Sequence, residues 1–199
     1  MKMLKKAAAV LLAAAMSLVM LTACGGGSGS TSTKLAGILS GGKVLIDIEN
    51  DEGRVVEATN SKKTYIKQTG KKTNKTLQVW YHEDATYLLF SNGEAYKQKA
   101  QQDNVEFAMP SAEEIKQITT GTYKVNDVEY YAETFTEKKE SLIVCFSGNK
   151  PVYLVIKDAE GEEVWKVNAL TSSFNEVDYL DPPADVEFVD MTQATQPQQ

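Results

Sequence analysis

Apolar and polar residues alternate with a period of two along most of this chain. In KVLIDIE, Val44, Ile46 and Ile48 share one face, as in a strand with one buried side. TLQVWYH sets Leu77, Val79 and Tyr81 against Gln78, Trp80 and His82. TYLLF and EAYKQK flank Ser91-Asn92-Gly93, and Asn-Gly tolerates the positive φ angles of a tight hairpin turn. VEYYAETF, SLIVCF, PVYLVIK and EVWKVNAL follow, joined by the turn-rich pieces TEKKE, SGNK and DAEGE. Consecutive strands with short connections predict a mainly β fold, a single antiparallel meander curved into a half-barrel.

One segment breaks the alternation. PSAEEIKQITTG offers Ser111 as an N-cap with Glu114 three residues on, a capping box. Ile115 and Ile118 then share a face and Gly121 ends the segment, which predicts one short covering helix over about 111–120. Several late strands are apolar on both sides. Leu142, Val144 and Phe146 alternate with Ile143 and Cys145, and Val152, Leu154 and Ile156 with Tyr153 and Val155. A half-exposed sheet shows cleaner alternation, so both faces of these strands are expected to be covered, by the helix, by connecting segments or by an apolar ligand.

The first 23 residues have a different grammar. Met1 to Lys6 carries three lysines, and Ala7 to Leu21 is a run of 15 residues without charge. That is short for a spanning helix, which needs about 20, and suits a secretory signal. Leu21-Thr22-Ala23-Cys24 closes it, and residues 25–33 are all Gly, Ser and Thr. Such a linker is a random coil with a span of roughly 15–18 Å. The folded domain is expected over 34–190, about the size of one ordinary domain, and the polar 191–199 reads as a disordered tail. No long amphipathic helix is evident after the linker.

Charge narrows the function. With the three signal lysines gone from the total of 21, 18 basic residues face 27 acidic ones, a net charge of −9. A nucleic-acid partner is excluded on that balance. Cys145 lies in SLIVCFSG among apolar neighbours and reads as a small core hydrophobe. His82, the sole histidine, sits at a strand end beside Glu83 and Asp84 and reads as a surface residue. DIENDEG places Asp47, Glu49 and Asp51 in a calcium-loop spacing, but the positions that need Gly and Glu hold Glu52 and Ala58, so a charged hairpin turn fits better. KKTYIKQTGKKTNK is the basic island of an acidic chain. Its Lys67, Lys71 and Lys72 are candidates to face anionic headgroups, at about 1 kcal/mol per lysine, against the plainer reading of a solvated hairpin. No catalytic constellation appears, and neither a cofactor nor a metal is expected.

The end of the signal, Leu21-Thr22-Ala23-Cys24, resembles the bacterial lipobox. The resemblance implies a diacylglyceryl group on the Cys24 thiol, cleavage before Cys24, further acylation (palmitate or similar) and a lipid-anchored domain on the extracytoplasmic face of the cell membrane. With the long β meander, VNDVEYYAETF, PVYLVIKDAEGEEVWKVNAL and the closing DPPADVEFVD, the chain also resembles the Lol-type lipoprotein carriers and related lipid-binding envelope lipoproteins. That likeness implies a curved, incomplete barrel whose concave face takes acyl chains. The expected lining is Val79, Tyr81, Val128 and Tyr130 from the earlier strands and Val144, Phe146, Trp165 and Val167 from the later ones. Two functions follow: a membrane-anchored monomer that binds a lipid, a lipoprotein or another apolar ligand, or an envelope interaction or sensor lipoprotein with a filled core and no ligand.

Overall fold

A computed structural model describes residues 33–100, 115, 117–137 and 140–191. The signal segment, Cys24, most of the tether, Ser111 and Glu114 of the expected capping box and the tail beyond Met191 lie outside the described residues.

The chain starts with helix α1 (Lys34–Leu39) and continues into β1 (Lys43–Glu49), β2 (Gly53–Asn60), β3 (Thr64–Gly70), β4 (Thr76–Tyr81), β5 (Ala85–Phe90) and β6 (Ala95–Lys99). Then come β7 (Thr119–Val125), β8 (Val128–Glu137), β9 (Glu140–Ser147), β10 (Lys150–Asp158) and β11 (Gly161–Thr171). A short helix α2 (Val177–Leu180) and β12 (Val189–Asp190) close it. All twelve strands form one sheet, ordered β12-β6-β5-β4-β3-β2-β1-β11-β10-β9-β8-β7 and not closed into a barrel. Every pairing is antiparallel except that of β12 with β6.

The order reveals two meanders rather than one. β1 to β6 run outward from the middle, the chain crosses to the far edge at β7, and β7 to β11 return until β11 pairs with β1. Local turn chemistry fixes several of these hairpins. Asn126 and Asp127 both have positive φ between β7 and β8, the requirement of a two-residue type I′ turn. Gly93, at φ +87°, completes the Asn-Gly turn between β5 and β6.

Parity divides the side chains between two faces. The inner face holds the main core, where Ile48, Val55, Val144, Phe146, Leu154, Trp165 and Val167 pack with Leu35 and Ala36 of α1 and with Ile115 and Ile118. The outer face of β1 to β5 presents Leu45, Ala58, Tyr65 and Trp80, covered by Phe174, Tyr179, Leu180 and Phe188 of the C-terminal segment. Trp80 Nε1 donates to the Tyr179 carbonyl at 2.9 Å, and Asn60 donates to Glu176 at 2.7 Å. The outer face of β7 to β10 gathers Val125, Ala132, Ile143, Cys145 and Val155 beneath Tyr123, Tyr130 and Tyr153.

Two expectations change here. Ile115 is helical and it and Ile118 are buried on the inner face as anticipated, but Thr119, Thr120 and Gly121 belong to β7. Gly121 pairs with Ala132 in the ladder instead of ending a helix. A helix also follows the tether at once, too short for an amphipathic pattern to reveal it: Thr33 is its N-cap and accepts from the Ala36 amide at 3.2 Å.

Candidate functional site

Across the inner face, the registers align one residue from each strand into a transverse row. Leu170 of β11 stands opposite Ile46, Ile46 opposite Glu57, Glu57 opposite Ile66, Ile66 opposite Val79, Val79 opposite Leu88 and Leu88 opposite Tyr96. The row is apolar except at Glu57 and at the phenol of Tyr96. A parallel row beside it is hydroxyl-rich: Thr59, Thr64, Tyr81 and Thr86, with Thr59 and Thr64 hydrogen-bonded at 2.6 Å.

From Glu57 toward β6, exposure grows along the row. Glu57 is 2% exposed, Ile66 4% and Val79 8%, while Leu88 and Tyr96 are half-buried. Phe90, on the same face at the end of β5, is 37% exposed and meets Tyr96 edge-on at 6.1 Å. Glu57 is therefore the most buried position of the row, which becomes more exposed toward β6 and again at Ile46 on its other side.

Glu57 is chemically out of place. Its Oε2 has no hydrogen-bond partner, and burial pushes its carboxyl up to about 7. Tyr81 shares the neighbourhood, its phenol raised by burial and then by the Glu57 charge. Among the described residues the indole N–H of Trp165 is the other buried side-chain polar atom without a partner, and it too belongs to the inner face.

A second buried carboxylate on this face is fully engaged. Glu133 accepts the Lys34 amide at 2.8 Å, the Leu35 amide at 2.6 Å and the Tyr131 hydroxyl at 2.9 Å. It satisfies two of the free N–H groups at the start of α1 with charge of the sign a helix N-terminus favours. The Lys34 ammonium lies over the Tyr131 ring at 4.7 Å and donates to the Gly148 carbonyl.

The expected lining residues separate into three groups. Val79 and Tyr81 belong to the inner stripe over β2 to β6. Val144, Phe146, Trp165 and Val167 are on the same face but in the part filled by α1, Ile115 and Ile118. Val128 and Tyr130 are on the outer face: Tyr131 faces Phe146 and Glu133 faces Val144, so the inner positions of β8 are Tyr131, Glu133 and Phe135. The alternation misleads because the inward set contains a glutamate, whose burial depends on a helix nearly a hundred residues away in sequence. Glu57, Ile66, Leu88 and Tyr96 were missed for a related reason. GRVVEATN holds Glu57 among apolar and β-branched residues, and its β propensity was a signal that a strand runs there, but its partners across the sheet are not given by the sequence.

Other candidates resolve simply. Cys145 is a free, buried thiol pushed up to about 11 by burial and then by Glu162, the opposite of an activated nucleophile. His82 Nε2 is 2.9 Å from the Leu180 carbonyl and tethers the C-terminal segment. In the supposed calcium loop, Asp47 forms a two-point pair with Arg54 at 2.8 and 2.5 Å, and Asn50 Oδ1 accepts the Glu52 and Gly53 amides of the hairpin turn. Among the described residues no group of three or more His, Cys, Asp or Glu side chains is placed to hold a metal, and no helix is long and apolar enough to cross a membrane. Lys67 is half-buried on β3, and Lys71 and Lys72 are exposed in the turn before β4.

No family model matches the sequence, and no curated protein matches it significantly. Three solved structures resemble the chain at low identity. An uncharacterized conserved protein from Thermus thermophilus aligns over 74% of this chain and 89% of its own at 9% identity, with a TM-score of 0.40. The hypothetical protein CT021 from Chlamydia trachomatis aligns over 70% of this chain and 91% of its own at 8% identity and 0.31. PNGF-II aligns over 76% of this chain but 31% of its own, at 11% identity and 0.27. None of these likenesses is close enough to carry function.

Proposed function

We propose that this protein is a lipid-anchored extracytoplasmic lipoprotein that binds an apolar ligand on the inner face of its sheet. The observation that carries the ligand reading is the stripe over β2 to β6. Apolar side chains from four adjacent strands, Ile66, Val79, Leu88 and Tyr96, line up in one row and become progressively exposed toward one edge. A face that only served as core would be covered along its length, since exposed apolar surface gains nothing from folding. The likeness to Lol-type carriers supports the same reading, as does the sequence at the N-terminus: a signal, Cys24, and a Gly/Ser tether ending in the N-cap of α1. Binding is favoured over catalysis, because the inner face offers apolar contacts and isolated carboxylates without a paired nucleophile and base.

The filled-core reading has its own observation. Leu35, Ala36, Ile115 and Ile118 occupy the inner face over β8 to β11 and leave that half to structure. The two readings part on what co-purifies. Native mass spectrometry of the chain from its source membrane is expected to show an apolar molecule of low mass bound one to one, and a clean apo mass would reject the ligand. Anchoring is tested separately. Cys24→Ser is expected to abolish fatty-acid labelling and to release the protein from the membrane fraction, because serine offers no thiol for alkylation.

A further inference from the structure

A carboxylate in the middle of an apolar row needs a reason. Glu57 has Ile46 on one side and Ile66 on the other, Oε2 has no partner, and among the described residues no lysine or arginine pairs with it. The Tyr81 phenol is the ionisable side chain that feels its charge. Leaving a charged group buried without a counter-charge is among the costliest arrangements in a protein, and Glu133 on the same face shows the alternative, with hydrogen bonds to both oxygens. Glu57 is also the most buried position of the row, between Ile46 and Ile66. Tyr96, at the more exposed end, lies across β3, β4 and β5 on β6, about 19 Å away at the usual strand spacing.

We propose that Glu57 is the head-group subsite of this stripe, and that the ligand is a single-chain amphiphile carrying a protonated amine. The ammonium supplies the missing donor and the counter-charge at Glu57, and the chain must displace the cover over Ile66 and Val79, which are buried in the free protein, to reach the more exposed Leu88, Tyr96 and Phe90. Entry is head first from the β12–β6 end of the sheet, where Tyr96 pairs with the exposed Val189 and the row is most exposed. This assignment rests on the inner face being a ligand-binding face, and it adds the chemistry of the head.

The test titrates octylamine, octanol and octanoate into the full mature chain, with Cys24→Ser to keep it free of acyl groups. Calorimetry at about pH 6 uses two buffers of different ionisation enthalpy. Octylamine is expected to bind about tenfold more tightly than octanol, with octanoate weakest. Its binding is expected to release up to about one proton, because a largely protonated Glu57 must ionise to meet the cation. Glu57→Gln is expected to lose both the preference for the amine and the proton release, with an unchanged circular dichroism spectrum reporting an intact sheet. If octylamine and octanol bind alike, without proton release in the unsubstituted chain, the subsite is overturned while the apolar face stands. If none of the three binds, the ligand reading itself fails and the subsite with it.

Discussion

Glu57 costs the free protein stability, and pH sets how much. In the unfolded chain its carboxyl titrates near the ordinary value of 4.5, while burial raises it to about 7 in the fold. Below pH 4.5 the group is protonated in both states and contributes nothing. Between 4.5 and 7 the unfolded state has released its proton and the folded state has not, so stability falls as pH rises. The drop levels off above 7 at about 3 kcal/mol. Glu57→Gln removes this dependence. Its stability relative to the parent, measured by urea unfolding at pH 4.5 and again at pH 8 without ligand, is expected to improve by about 3 kcal/mol between the two. A difference that stays flat with pH would show that Glu57 is not desolvated. Residue by residue, this burial was not legible in the sequence: a glutamate between Val56 and Ala58 looks solvent-facing until the strands on either side are known to bring Ile46 and Ile66 against it.

The elements differ in how much of their origin is local. β1, β4, β5 and β9 to β11 follow from alternation and turn residues near at hand, and their limits fall within a residue or two of the apolar runs. α1 does not. Six residues are too few to hold a helix in water, and KLAGIL has no pattern long enough to announce one. It forms because Leu35 and Ala36 bury against the inner face and because Glu133 receives its first amides. β7 was obscured in the opposite way, since the capping box and the Ile115–Ile118 spacing carry a helical pattern into residues that the ladder with β8 claims for the sheet. The dependence of α1 on Glu133 can be measured. Glu133→Ala leaves the Lys34 and Leu35 amides without their acceptor and is expected to lower stability by about 3 kcal/mol or more, as hydrogen bonds to a charged group contribute about 1.5–3 kcal/mol each. Hydrogen exchange at those two amides should accelerate well beyond the change in global unfolding. Uniform acceleration across the sheet would mean that α1 is held by its apolar contacts alone.

At the scale of the whole molecule, the two meanders set which end of the sheet would meet a membrane if Cys24 carries the proposed lipid. The tether reaches the fold at Thr33, and Lys34 contacts Gly148 in the turn between β9 and β10. Following the antiparallel pairings across β10, β11, β1 and β2, that end also carries the β2–β3 turn with Lys62 and Lys63. Lys71 and Lys72 sit in the β3–β4 turn, at the opposite end of β3. The seven residues of β3 span about 23 Å at the usual rise. For Lys67, Lys71 and Lys72 to reach headgroups with Cys24 anchored as proposed, the sheet must lie along the bilayer. The expected outcome is that changing the three lysines to glutamate weakens sedimentation of the unacylated chain with anionic vesicles. The effect should be large at low salt and nearly absent at about 1 M, where the screening length falls to about 3 Å. Equal binding by variant and parent across the salt series would reject the recumbent orientation.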